Sequence, residues 1–194
     1  MAAEQHIDPL ETARRTIALE AGAIEGLVNQ LTDDFARICN VILEAKGRVI
    51  VSGIGKSAVI AQKIVATLNS TGTPAVFLHA ADAIHGDLGM ILSHDVVMII
   101  SKSGESPEIK VLTQLVKNFG NQIIGMVGNT ESYLAKQSDF VLNTTVSQEA
   151  CPNNLAPTSS TTAQMVMGDA LAVALMELRG FKSEDFAKFH PGGA

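Results

Sequence analysis

Cysteine is scarce in this 194-residue chain: only Cys39 and Cys151 occur, far apart and outside any paired metal-ligand spacing. That excludes a disulfide framework and fits a reducing, cytoplasmic setting. Basic residues are in deficit, 14 against 20 acidic, for a net charge of −6. Sequence-independent nucleic-acid binding needs clustered Lys and Arg, so that function is not expected. The same deficit means that an anionic ligand has to be held by local groups, against the field of the whole protein. Apolar runs are short. None approaches the roughly 18 residues of a membrane-spanning helix, and an N-terminus carrying Glu4, Asp8 and Glu11 without an apolar stretch does not read as a secretory signal.

What is present is an apolar, helix-and-strand composition. Hydrophobic residues make up 46% and mean hydropathy is +0.23, an excess that is assigned either to a subunit interface or to an Ala- and Val-rich core. The length suits one domain, 1–194, with a helical segment 8–46, an α/β core 47–180 and a tail 181–194. Asp8-Pro9-Leu10-Glu11 carries a helix start, with Asp8 as N-cap, Pro9 in the first position and Glu11 reaching back as in a capping box. Ile17, Ile24, Leu27, Val28 and Leu31 continue at near-helical spacing, and Phe35, Ile38, Ile42 and Leu43 mark a second helix ending near Gly47. These helices either pad a sheet or build an oligomer interface.

From residue 48 the pattern changes. Strands are expected at 48–51, 75–78, 95–100, 122–127 and 140–142, each apolar throughout and alternating with helices. Such alternation means βαβ units with right-handed crossovers, hence a three-layer αβα sandwich around a five-stranded parallel sheet in the flavodoxin-like order 2-1-3-4-5. Ligands in open α/β sheets bind beyond the carboxyl ends of the strands where the order reverses, here between strands one and three. The two loops that leave those strands are rich in Ser and Gly: Ser52-Gly53-Ile54-Gly55-Lys56-Ser57 and Ser101-Lys102-Ser103-Gly104-Glu105-Ser106. Pro107 behind Ser106 reads as the first residue of a helix, and hydroxyls gathered at a helix N-terminus make a phosphate cradle, though a plain capped connection has the same look. After strand five comes a long loop, 143–157, of a length that is usually functional. Thr158-Ser159-Ser160-Thr161-Thr162 then opens a helix through Leu178, apolar nearly all round, which implies burial between the sheet and another subunit.

Several motifs compete. Gly53-Ile54-Gly55-Lys56-Ser57-Ala58 fits the dinucleotide fingerprint, but strand two ends Leu78-His79-Ala80 without the acidic ribose ligand. A phosphate-binding Walker loop would place its first glycine at Ile50. His79, His85 and His94 lie at spacings of six and nine, unlike the close pairs that gather imidazoles on a helical face around zinc. Lys56 at the mouth of a Gly-rich turn suits an anion, and Lys102 either does likewise or points to water. His85, in a small-residue loop, suits a pocket side chain or a structural bond to Asp87. Glu108, Glu149 and His190 are candidates for proton transfer; Glu108 equally complements the dipole of its helix.

Together, Gly-Ile-Gly-Lys-Ser (53–57), His-Gly-Asp-Leu-Gly-Met (85–90), Ser-Gly-Glu-Ser (103–106), Glu-Ala-Cys-Pro (149–152), Leu-Ala-Pro-Thr-Ser-Ser-Thr-Thr (155–162), Met-Gly-Asp-Ala-Leu-Ala (167–172) and His-Pro-Gly-Gly-Ala (190–194) closely resemble the D-arabinose 5-phosphate isomerases of the sugar isomerase (SIS) domain family. The resemblance implies interconversion of D-ribulose 5-phosphate and D-arabinose 5-phosphate, the entry to Kdo and lipopolysaccharide, by a homotetramer with shared sites. Many relatives continue into a pair of CBS domains; regulation by these is not expected here, and feedback by activated Kdo is left as an open alternative. By motif match Lys56, Glu108, Glu149 and His190 fall on catalytic positions and His85 on a pocket histidine. Lys102 departs from the pattern, which commonly has asparagine there.

The chemistry implied is removal of a proton beside a carbonyl, passage through a cis-enediol(ate) and return of the proton to the neighbouring carbon, with no metal or redox cofactor needed. Glu149 is the favoured base, its pKa raised by a dehydrated pocket; Glu108 is the alternative. Lys56 would stabilise the enediolate, and His190, from the same or a neighbouring subunit, would open the ring or shuttle protons. Ser52, Gly53, Gly55, Ser57, His85, Ser101, Ser103, Ser106, Thr158, Ser159 and Ser160 would bind the substrate and its phosphate. A sensing module without catalysis, or an isomerase of another phosphosugar, would use the same loops.

Overall fold

A computed structural model describes residues 7–192. Helix α1 (Pro9–Leu27) starts as its sequence implies: the Asp8 carboxylate accepts the Leu10 N–H at 2.8 Å, and Pro9 occupies the first turn. Only the carboxylate half of the expected box forms, because Asp8 caps the second helical residue and not Glu11. Helix α2 (Asp33–Glu44) is strongly amphipathic and buries Ile38, Cys39 and Ile42. The two helices therefore take different parts. α2 pads the sheet, whereas α1 lies across the last long helix and leaves Leu10 and Ile17 exposed.

The α/β core follows in order: β1 (Val49–Gly53), α3 (Lys56–Ser70), β2 (Ala75–His79), the single turn α4 (Ala80–Ala83), β3 (Val96–Ser101), α5 (Pro107–Phe119), β4 (Ile123–Val127), α6 (Tyr133–Gln137), β5 (Phe140–Asn143), α7 (Ser159–Leu178) and α8 (Ser183–Phe189). The five strands form a parallel sheet in the order β2-β1-β3-β4-β5. β1, β3 and β4 are buried along their whole length, which is why they read as unbroken apolar runs. Alternate residues feed two cores. Val49, Val51, Met98 and Ile100 pack under α2, α3 and α7, while Ile50, Val97 and Ile99 pack under α4, α5 and α6, completing the three-layer sandwich.

α7 is buried inside the chain more fully than its composition required of a neighbour. It packs on α3, where Gly168 lets Ile64 approach so closely that no Cβ would fit, and α1 covers part of its other side. Its outer face still exposes Val173 and Leu178. Short elements outside the sequence reading are α4 and α8, together with 3-10 turns at Val28–Gln30 and Asp87–Met90, the first of which ends α1 at Leu27 before the expected Val28 and Leu31. Among the described residues, no helix is long and apolar enough to cross a membrane.

The register pairs Gly53 with His79 and Ile100, and Ser101 with Val127, itself beside Asn143, so all these strand ends gather at the carboxyl edge of the sheet. Every loop named as a candidate cradle leaves from that edge.

Candidate active site

The first loop is shaped by two glycines. Gly53 ends β1 where an added Cβ would meet the Ser57 carbonyl at 2.9 Å, and Gly55 stands at φ +57° and ψ −129° as the residue before α3. Both are steric demands of a tight strand-to-helix turn. The turn leaves the α3 N-terminus uncapped by any side chain, with Lys56 exposed in its first position and Ser52 fully buried beneath it. The Ser57 hydroxyl donates to Gln164 Oε1 at 3.2 Å, tying α3 to α7.

The second loop is held as firmly. Ser101 Oγ accepts the Gly104 N–H at 3.0 Å, Ser103 Oγ accepts the Glu105 N–H at 3.3 Å, and the Lys102 carbonyl accepts the Gly128 N–H at 3.0 Å. Ser106 is the N-cap of α5 with Pro107 behind it, as expected, yet its hydroxyl makes no capping bond. Ser52 Oγ, Ser106 Oγ and Ser159 Oγ are buried and have no hydrogen-bond partner among the described residues. Buried hydroxyls are ordinarily paired; these three, at the end of β1 and the starts of α5 and α7, lie at one edge of the sheet, as does the unpaired Thr144 hydroxyl after β5. Glu108, in the first turn of α5, is partly buried.

The third component is the long loop before α7. Its backbone folds onto itself: Asn154, at φ +53°, accepts the Glu149 N–H at 2.7 Å, and Thr158 Oγ1 accepts the Ala150 N–H at 2.8 Å. Cys151 Sγ accepts the N–H groups of Ala156 and Leu155 at 3.4 and 3.5 Å, which lowers the thiol's pKa.

Glu149 lies at the centre of this loop, and its side chain is wholly buried. Its Oε1 accepts from Lys102 Nζ at 2.6 Å and from Ser160 Oγ at 2.5 Å. Its Oε2 accepts the Thr158 and Ser160 N–H groups at 2.8 and 3.1 Å and the Thr158 hydroxyl at 3.2 Å. Burial pushes this carboxyl's pKa up, but the Lys102 ammonium, the Ser160 hydroxyl and the two N–H groups outweigh it and hold the pKa at about 2. The expectation of a raised pKa is thus corrected: the carboxyl is buried, but it is surrounded by donors and a cation that favour the charged form. The sequence offers Lys102 as an anion ligand or a solvent-facing lysine; its pairing with Glu149 was not legible, since that partner lies 47 residues away.

Two expected residues stand apart. His85 is exposed in the turn after α4, and the imidazole–carboxylate contact in that region is instead His79 Nδ1 to Asp82 at 3.6 Å. His190 is farther still. α7 begins at Ser159, beside the Glu149 carboxylate, and, over 20 residues, runs about 30 Å to the amino edge of the sheet, where Arg179 Nε donates to Thr73 Oγ1. Phe181 packs there against Gly72, Phe189 stacks on Phe181, and the His190 ring stacks on Phe186 at 3.8 Å. One chain therefore brings Lys56, Glu108 and Glu149 to one edge and His190 to the other. His79 and His94 are likewise split between the two edges, for His79 ends β2 and the His94 carbonyl abuts Gly47.

Doubly wound topology, with unpaired hydroxyls and a buried carboxylate at the carboxyl edge of the sheet, defines an open α/β domain. The chain belongs to the SIS domain family, whose model matches residues 42–174. It is 54% identical over 190 residues to arabinose 5-phosphate isomerase KdsD of Pseudomonas aeruginosa, covering 98% of this chain and 58% of that protein. It is 50% identical over 191 residues to arabinose 5-phosphate isomerase KpsF of Escherichia coli O6:H1, covering 97% and 58%. The chain spans a little over half the length of these relatives. Among solved structures, E. coli CFT073 c3406 in complex with arabinose 5-phosphate superposes with a TM-score of 0.91 at 38% identity, over 95% of this chain and 100% of that one.

Proposed function

We propose that this protein is an aldose–ketose isomerase that interconverts D-ribulose 5-phosphate and D-arabinose 5-phosphate, the entry to Kdo for lipopolysaccharide. The observation that carries the reading is the pairing of two unlike features at one edge: orphaned hydroxyls suited to a phosphate, and a buried, ion-paired carboxylate at the α7 N-terminus. Names of relatives at about half identity and the arabinose 5-phosphate complex of a 38%-identical structure support the choice of sugar.

In this mechanism the non-reacting phosphate occupies the Ser52, Ser106 and Ser159 hydroxyls, and its binding energy fixes the reacting carbons. Glu149, or else Glu108, takes the proton beside the carbonyl and returns it to the neighbouring carbon. Lys56 faces the enediolate charge, a type of contact whose loss costs about 2.7–4 kcal/mol. His190 serves the site of a neighbouring subunit, since its own chain holds it at the opposite edge. That requires an oligomer, for which the exposed Ile17 on α1 and Val173 and Leu178 on α7 offer apolar surface. Sedimentation at micromolar concentration is expected to give a tetramer; a stable monomer rules out site sharing.

A second reading is favoured by one observation. A carboxylate held at a pKa of about 2 is a poor base, which suits a module that binds a phosphosugar without turning it over. Proton NMR with D-ribulose 5-phosphate in D₂O separates the two. Arabinose 5-phosphate carrying deuterium at carbon two is the expected result; binding without product or exchange would leave the sensing module.

A further inference from the structure

The low pKa of Glu149 and its proposed work as a base conflict, and Lys102 is where the conflict resolves. Glu149 already accepts four hydrogen bonds from Thr158 and Ser160, to both of its oxygens. Lys102 is not needed to satisfy it; what the lysine adds is charge. The two partners also differ in freedom. Glu149 has a side-chain exposure of 0%, while Lys102 is 47% exposed. The Lys102 backbone is pinned through its carbonyl to Gly128, so the loop stays fixed while a four-carbon stem can swing.

Lys102 also begins the cradle. It directly follows Ser101 at the end of β3, four residues before the unpartnered Ser106 hydroxyl. A phosphate monoester carries about −1.5 to −2 charge near neutral pH, more than the single charge of a carboxylate, and the protein's net charge of −6 makes a nearby cation valuable to it. We propose that Lys102 is a latch with two positions, resting on Glu149 in the empty site and turning to the phosphate when a phosphosugar binds, thereby releasing Glu149 to act as base. This rests on the phosphate-cradle reading above. On release Glu149 keeps its four hydrogen bonds and its burial but loses the neighbouring cation, so its proton affinity rises. The substrate's own phosphate thus switches on the carboxylate, and a sugar lacking phosphate would leave it latched.

The other charged or titratable groups beside Glu149 are Arg15 of α1 and Cys151, which line the same cavity of about 320 Å³. Neither donates to the Glu149 oxygens, so the latch is tested at Lys102. The experiment follows the carbon-13 resonance of the Glu149 carboxyl, assigned with Glu149→Gln, through an acid titration with and without sulfate, a tetrahedral probe that takes up a proton only at the acid foot of the curve and so is still doubly charged where a raised midpoint would fall. In the wild type, saturating sulfate should raise the titration midpoint by about 1–3 pH units, the range an adjacent opposite charge ordinarily controls. An anion also raises the proton affinity of any carboxylate near it, and Lys102→Met isolates that effect: its midpoint should start high and move by less than a third as much. Lys102→Gln, which keeps a donor to Glu149 without the charge, repeats the test should Lys102→Met fail to fold. An unchanged wild-type midpoint, or an equal rise in both proteins, overturns the latch. The readout needs no turnover, so an inactive wild type would remove the isomerase reading without deciding this one.

Discussion

Each edge of the sheet buries one carboxylate against one cation, and the two edges differ in which cation it is and in where hydroxyls are left unpaired. At the amino edge Asp95 accepts Arg48 Nη2 and the Arg48 and Leu92 N–H groups, all at 2.8–2.9 Å. Arg48 Nη2 also donates to the Met90 carbonyl at 2.7 Å, and the Asn121 amide clips the Leu92 and Asp95 carbonyls, both at 2.8 Å. At the carboxyl edge Glu149 has a lysine in place of an arginine, and the hydroxyls of Ser52, Ser106 and Ser159 are left unpaired. An arginine fork is preorganised for two contacts, whereas a lysine is a point charge on a flexible stem. The comparison teaches that burial and ion pairing do not distinguish a structural carboxylate from a working one; the mobility of the partner and the orphaned hydroxyls do.

The sharpest break in the comparison is Glu149→Gln. Glutamine fills the same space and keeps most of the donors, so phosphosugar binding should persist while kcat falls on the order of 10²–10⁴-fold, the usual contribution of a positioned base. Steady-state kinetics beside calorimetric binding checks this, and near-normal turnover would move the role to Glu108. Asp95→Ala is the counterpart at the other edge. It strands a partly buried arginine and should cost about 3–5 kcal/mol of stability in denaturant titrations, while the folded fraction keeps its kcat.

Acid sharpens the same contrast. A carboxylate whose folded pKa lies below its unfolded value stabilises the fold above the unfolded pKa and loses that contribution as pH falls through the folded one. For Glu149, held at about 2 against an ordinary 4.5, this is about 3 kcal/mol, lost between those two pH values. Urea midpoints measured down that range should fall more steeply for the wild type than for Glu149→Gln. Asp95 is shifted the same way, burial opposing and Arg48 prevailing, so it contributes to the acid loss in both proteins.

Legibility followed the range of the interactions. The β1 and β3 strands, Gly53 and Gly55 in their turn, and Pro107 behind Ser106 are products of local sterics, so adjacent residues announce them. α4 escaped because four residues carry no period, and α8 because its tail was read for Pro191 and Gly192 rather than for the acidic first turn of Glu184 and Asp185. Glu149 was found by motif, but its electrostatics depend on Lys102 and Ser160, 47 and 11 residues away, and no local pattern encodes that pairing. The place of His190 depends on where a 20-residue helix ends, which spacing cannot show until the helix is laid on the sheet.

The smallest stability change should come from Ser106→Ala, and its smallness is the point. At the neighbouring Ser101, alanine would remove an existing bond to the Gly104 N–H and cost about 1 kcal/mol of stability. The Ser106 hydroxyl is buried without a partner, so its removal deletes an unmet polar group and should leave stability within about 0.5 kcal/mol of wild type, or slightly above it. Phosphate binding should move the other way: a hydrogen bond to a charged group is worth about 1.5–3 kcal/mol, so affinity for inorganic phosphate should fall by roughly 10- to 100-fold. Calorimetry and thermal unfolding on the same sample measure both. A variant that loses stability but binds phosphate normally would make Ser106 an ordinary helix cap.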